Sequence, residues 1–116
     1  MDIAELIKRV EGLTGADREV DAAVLKAMGY TYDRFGRSWW DRNVPIENDK
    51  LTASVDAVIQ LIGEKMPVEW EIRGSKDESV AYLYAESVAS GGNAPTPALA
   101  LLIAFLRAWE ARGEKA

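Results

Sequence analysis

The sequence has no cysteine and no histidine, and its cationic residues are outnumbered. Without cysteine there is no disulfide framework, no thiolate zinc site and no cysteine nucleophile. Without histidine there is no imidazole base and no usual catalytic zinc triad. Lys and Arg total 14 against 19 Asp and Glu, a net charge of −5. Bulk coating of nucleic acid needs clustered cations to neutralise phosphates, so this balance argues against it. Long hydrophobic runs are missing too. The longest, Ala98 to Leu106, has nine residues, whereas a membrane span needs about 20. No membrane association, metal or cofactor is expected. The opening segment, 1–9, alternates charged and apolar side chains without a signal-peptide core, so a cytoplasmic location is expected.

What remains is an ordinary globular composition, 48% hydrophobic and 28% charged over 116 residues. That is too apolar for a disordered chain and long enough for one core. A single domain over 1–113 is expected, with 114–116 as a disordered tail.

Hydrophobic spacing sets out the elements. Ile3, Leu6, Ile7 and Val10 recur at helical intervals, and Gly12 is a natural stop. Thr14 or Asp17 can cap a second helix whose buried stripe is Val20, Val24, Ala27 and Met28, with Gly29 as its left-handed end. Tyr30–Tyr32 and Ser38–Trp40 read as two short strands, and Asp33 to Arg37 as the turn between them. Adjacent Trp39 and Trp40 must then point to opposite faces, one of them inward. Asn43 to Lys50 reads as a loop. Thr52 or Ser54 caps a third helix carrying Val55, Val58, Ile59 and Ile62, with Gly63 to Pro67 ending it.

Val68, Trp70 and Ile72 alternate with charged residues in a half-buried strand. Its partner carries apolar residues on both faces from Val80 to Ala85. Ser87 to Asn93 reads as a loop. Thr96-Pro97 opens a last helix that is apolar nearly all round and should be the most buried. The order is α-α-β-β-α-β-β-α. It predicts an α+β fold: a small antiparallel β-sheet with helices packed on it, as an α-β-α sandwich.

Three stretches carry a family resemblance. The first runs from Leu13-Thr14-Gly15 through Asp21-Ala22-Ala23-Val24 to Ala27-Met28-Gly29. The second is Leu51-Thr52-Ala53-Ser54-Val55-Asp56-Ala57. The third is Pro95-Thr96-Pro97-Ala98-Leu99-Ala100-Leu101, running on to Leu106-Arg107-Ala108. Their order and spacing resembles the phage α-β-α sandwich domain family of small phage and prophage proteins. The first and third also look distantly like Nin-type accessory proteins of lambdoid phages. The resemblance spans Asp2 to Arg112. It implies a phage or prophage origin and a bacterial host cytoplasm, and it brings no catalytic residues with it.

One stretch stands out chemically. Residues 30–42 hold half of the chain's aromatic side chains and carry a local charge of +1, against −6 for the rest. Aromatic rings can stack on a base, and guanidinium groups can hold a phosphate or stack themselves. Tyr32, Arg34, Arg37, Trp39, Trp40 and Arg42 are therefore candidate ligand- or partner-binding residues. The plainer reading is a hairpin whose aromatics fill the core while its charges pair with one another.

Asn93 and Thr96, before the last helix, are the candidate polar contributors from the other end, although no phosphate-binding glycine motif is present. Thr52 to Asp56 at a helix start and the pair Glu69 and Glu71 read as a cap and a solvated strand face. No spacing proposes a catalytic set.

The expected function is accordingly a phage accessory protein that is not an enzyme. It would bind a small, nucleotide-like ligand or a host or phage protein, with a homo-oligomer possible. The alternatives are a single-stranded nucleic-acid binder using the hairpin, or a small enzyme working without Cys or His.

Overall fold

The computed structural model describes residues 2–41, 44–74, 78–84 and 89–112. Arg42, the expected domain end at Gly113 and the tail 114–116 lie outside them.

Two helices come first. Helix α1 (Ile3–Glu11) starts at Asp2, whose carboxylate accepts the Glu5 N–H, and it buries Leu6, Ile7 and Val10. Helix α2 (Arg18–Ala27) is capped by Asp17, which accepts from Glu19 and Val20. Gly29 follows with φ +93°, the left-handed conformation expected of it.

Next comes a small antiparallel sheet of β1 (Thr31–Asp33), β2 (Ser38–Asp41) and β3 (Val44–Pro45). Helix α3 (Val55–Lys65) is capped by Ser54, which accepts from Ala57, and runs two residues past Gly63. A second antiparallel sheet holds β4 (Glu69–Gly74), β5 (Ser79–Tyr84) and β6 (Ala89–Ala94). Helix α4 (Pro97–Ala111) closes the order, capped by Thr96 with Pro97 in its first turn.

The α+β class and the order of helices and hairpins agree with the sequence reading. The strands form two three-stranded sheets, because two segments read as loops add a strand each. Val44–Pro45 pairs with Trp40 and Asp41. Ala89–Ala94, glycine-rich and a poor strand former, pairs along the whole of β5.

Helix α4 is the centre of the core. Every residue from Ala98 to Leu106 is buried. On one side it packs against the inner face of β5 and β6, and on the other against α1 and α3. Register explains which strand residues meet it: Ser79, Ala81 and Leu83 point inward, while Val80, Tyr82 and Tyr84 point the other way.

Gly92 sits under α4 at very close approach. A Cβ there would collide with the Ala100 carbonyl and lie 2.9 Å from the Ala104 nitrogen. The neighbouring Ser90 hydroxyl donates to the Ala104 carbonyl at 2.8 Å. Strand and helix backbones are therefore in near contact, which only glycine permits.

A polar clamp joins α2 to the segment entering α3. Asp21 is 2% exposed. Its carboxylate accepts the Thr52 N–H at 2.7 Å and an Arg18 Nη1 hydrogen at 2.8 Å. Thr52 Oγ1 accepts the Asp17 N–H at 2.7 Å. Partial burial works against the Arg18 charge, but bonds and charges from Asp49 and Asp21 outweigh it and raise its pKa. Thr52 thus belongs to this clamp, and Ser54 alone caps α3.

Candidate functional site

The β1–β2 hairpin is short, and its tip is Arg34-Phe35-Gly36-Arg37. The tip is fixed from within. Asp33 Oδ1 accepts the Phe35 N–H at 3.0 Å, an Asx turn. A Cβ on Gly36 would lie 2.7 Å from the Asp33 carboxylate, so glycine lets the turn fold onto Asp33. Arg37 takes φ +53°, a left-handed conformation that the Cβ of a non-glycine residue opposes. This geometry holds Phe35 outward, where it is 100% exposed.

Phe35 is the residue that sequence reasoning missed. It lies within the aromatic stretch, in the segment that the sequence assigns to the turn. The available signal was a large apolar side chain in the middle of an otherwise polar loop, where turn chemistry gives it no inward route.

Tyr32 and Trp39 face each other across β1 and β2, with ring centroids 5.2 Å apart. Trp39 packs against the core, while Tyr32 is 50% exposed. Trp40 points to the opposite face, as strand geometry requires. It is half-buried, and its Nε1 donates to Ser38 Oγ at 2.9 Å. The hairpin is therefore part core and part surface: Trp39 anchors it, while Tyr32 and Phe35 are offered to solvent. Arg34 and Arg37 are exposed. Neither belongs to a salt bridge among the described residues.

The hairpin base is tied to α3. Tyr30 is buried, and its hydroxyl donates to Glu64 Oε2 at 2.7 Å. Lys65 Nζ stands 4.5 Å above the Tyr30 ring and 3.6 Å from Asp41 Oδ2. Burial, with the Glu64 bond and the nearby carboxylates added, pushes the Tyr30 pKa well above its ordinary value. Asp41 answers Lys65, and Asp33 serves the turn. The hairpin's carboxylates thus have partners other than its arginines. Beneath this base, Tyr30, Leu51, Leu61 and Glu64 line a cleft of only about 10 Å³, room for about one water.

Asn93 and Thr96 do not join the hairpin's aromatic residues. Thr96 is the α4 cap and accepts the Leu99 N–H. Asn93 lies on the outer face of the second sheet. There it lines an open groove of about 370 Å³ with Glu11, Val80, Tyr82, Gly91 and Arg107. Arg107 Nη1 donates to the Gly91 carbonyl at 2.7 Å, and Nη2 pairs with Glu11. Tyr82 and Tyr84 lie side by side, with centroids 6.4 Å apart. Glu71 pairs with Arg73 at 2.9 Å, whereas exposed Glu69 is in no salt bridge among the described residues.

Among the described residues no cluster of three or more carboxylates is placed to hold a metal ion. No described helix is long and apolar enough to cross a membrane. Compared with known proteins, the chain matches no family model, no curated protein and no solved structure.

Proposed function

We propose that the chain is a non-catalytic binding protein, and that its β1–β2 hairpin is the element that binds. Phe35 enters an apolar pocket on a partner protein, and Arg34 and Arg37 meet carboxylates on the pocket rim. The carrying observation is Phe35 itself, wholly exposed at the end of a turn that holds it there.

Burying one such side chain contributes roughly 1.5 to 3 kcal/mol. Aromatic and arginine side chains are also the commonest interface anchors. Arg37 adds support, because a left-handed non-glycine residue is retained where something other than local stability favours it.

A convex tip suits insertion into a partner better than enclosure of a small ligand. Single-stranded nucleic acid could stack on Tyr32 and Phe35, but a net charge of −5 weakens attraction to phosphates. The resemblance to phage accessory proteins gives this proposal its setting, a bacterial cytoplasm in which the partner is a host or phage protein.

The test is retention of a partner from bacterial lysate by the immobilised chain. Wild type and Phe35→Trp should retain a common protein that Phe35→Ser loses, with short oligonucleotides unable to compete. Equal retention by Phe35→Ser, or loss of retention on adding oligonucleotide, would contradict the proposal.

A further inference from the structure

The two edges of the second sheet differ. At the β6 edge, Arg107 donates to the Gly91 carbonyl. The β4 edge has no such cover. Among the described residues, no backbone hydrogen bond joins Glu69–Gly74 to any element but β5. Alternate residues of β4 therefore keep outward N–H and C=O groups open to another strand.

The apolar side of this edge is uncovered too. Trp70 and Ile72 stand opposite Leu83 and Ala81, so they share the inner face of the sheet with them. Leu83 and Ala81 are fully buried, yet Trp70 is 40% exposed. Helix α4 accounts for the difference, because it lies mainly over β5 and β6. The outer face of β4 carries Glu69, Glu71 and Arg73, with Arg73 paired to Glu71 at 2.9 Å.

This pattern is complementary to itself. Two copies of β4 joined edge to edge as antiparallel strands are related by a two-fold axis perpendicular to the sheet. That axis keeps inner face beside inner face, so one residue must lie opposite its own copy. Centred on Trp70, the pairing sets Glu69 against Glu71 of the second copy. Centred on Glu71 or Arg73, it sets that charge against itself. Like charges directly opposite each other are destabilising. Centres at Glu69 or Gly74 pair too little of the strand. Centred on Ile72, each Glu71 meets an Arg73 and Ile72 meets Ile72. Each Trp70 then lies opposite Gly74, where the missing side chain leaves room for the indole.

We propose that β4 of one molecule pairs with β4 of a second copy in the register centred on Ile72, joining two second sheets into one. The contact is isologous and closes at a dimer. Trp70 and Ile72 bury apolar surface that is open in the single chain. Each Glu71 lies between two guanidinium groups, its own and that of the second copy. A guanidinium has five N–H donors and can serve both carboxylates. The dimer is independent of the hairpin reading, since Phe35 belongs to the β1–β2 turn of the first sheet.

Charge exchange tests the register. Sedimentation of wild type should show mass rising from monomer to dimer below about 1 mM, the weak end of specific affinity, and stopping there. Glu71→Arg alone and Arg73→Glu alone each set like charges opposite one another, and both should stay monomeric over that range. The chain carrying both substitutions restores opposite charges and should dimerise again. The Arg73 side chain is 74% exposed, and exposed ion pairs carry little stability, so all three variants should fold. Thermal melting checks this.

The lack of native cysteine allows a second readout. Position 72 faces itself across the axis at a Cα separation of about 4.5 to 5.5 Å, within reach of a disulfide. Ile72→Cys should therefore oxidise to a linked dimer, and Glu69→Cys, far from its own copy, should not.

Wild type that stays monomeric, or that grows past a dimer, overturns the proposal. So do single variants that dimerise like wild type, a double variant that stays monomeric, or linkage at position 69 as ready as at position 72.

Discussion

Arg107 donates a 2.7 Å hydrogen bond to the carbonyl of Gly91, joining the most buried helix to the edge strand of the second sheet. The same guanidinium pairs with Glu11 at the end of α1. One side chain thus ties three elements and occupies an edge carbonyl that would otherwise be open to another strand.

Arg107→Ala should therefore have two effects. Stability should fall by about 1 to 2 kcal/mol, the low end for one charged hydrogen bond and one surface ion pair, because both contacts are exposed to solvent. Aggregation on heating should increase, because the β6 edge is uncovered. Chemical denaturation and light scattering read these separately. A variant as stable and as soluble as wild type would show that the clamp has no role.

Gly91 and Gly92 are neighbours with opposite demands. Gly92→Ala forces a methyl group into the backbone of α4 and should cost about 1 to 3 kcal/mol, the usual range for overpacking. Gly91→Ala meets the Tyr82 ring at 3.3 Å, which can shift by a few tenths of an ångström, and the Ala81 carbonyl at an ordinary contact distance of 3.5 Å. Denaturation midpoints should rank Gly92→Ala well below Gly91→Ala. The reverse ranking would misplace α4 on the sheet.

Tyr30 gives the fold a pH dependence in alkali. Its pKa is raised in the folded state, so the folded protein holds this proton more tightly than the unfolded chain does. The resulting stabilisation is complete below the ordinary tyrosine pKa of about 10 and declines as pH rises above it. Tyr30→Phe should remove this decline and cost about 1 kcal/mol near neutrality through loss of the Glu64 bond. Urea denaturation of both proteins across the alkaline range measures it. Equal slopes in the two would contradict the assignment.

Arg37 should show a conflict between stability and binding. Arg37→Gly relieves the left-handed backbone and should stabilise the fold by up to about 1 kcal/mol. It also removes one of the two cations flanking Phe35 and should weaken partner retention. A variant that gains stability and binds as well as wild type would reduce Arg37 to a turn residue.

Much of the architecture was legible because local signals agreed with the tertiary result. Thr96-Pro97 and the run that follows announce α4, and its lack of a polar face correctly marks it as the core helix. Trp39 and Trp40 divide between two faces by strand geometry alone. Strand β6 was hidden because Ser90-Gly91-Gly92-Asn93 has the composition of a loop. Those glycines answer a helix backbone and an aromatic ring, which are tertiary neighbours and leave no local pattern.

The separation into two sheets was hidden for a similar reason, since hairpin patterns do not state which strands join. The apolar outer residues of β5 suggested a second covering layer. Val80, Tyr82 and Tyr84 instead lie on the face away from α4, where tyrosine tolerates water through its hydroxyl.

The candidate site was legible by region and not by residue. The aromatic-arginine stretch does form the projecting hairpin. Its most exposed aromatic is Phe35, because Trp39 and Trp40 are half-buried. Asn93 belongs to a separate surface. Its groove is assembled from α1, two strands and α4, and the Glu11–Arg107 pair that borders it joins residues far apart in the chain. Such long-range pairing cannot be read from spacing.

The central claim is that Phe35 touches a protein. Placing a photo-reactive phenylalanine analogue at position 35, and at exposed Lys26 on α2 as a control, tests it most directly. Irradiation in bacterial lysate should give a discrete protein adduct from position 35, to a second copy of the chain or to another protein, and none of that mass from position 26. Absence of any adduct from position 35, or the same products from both positions, would contradict the account.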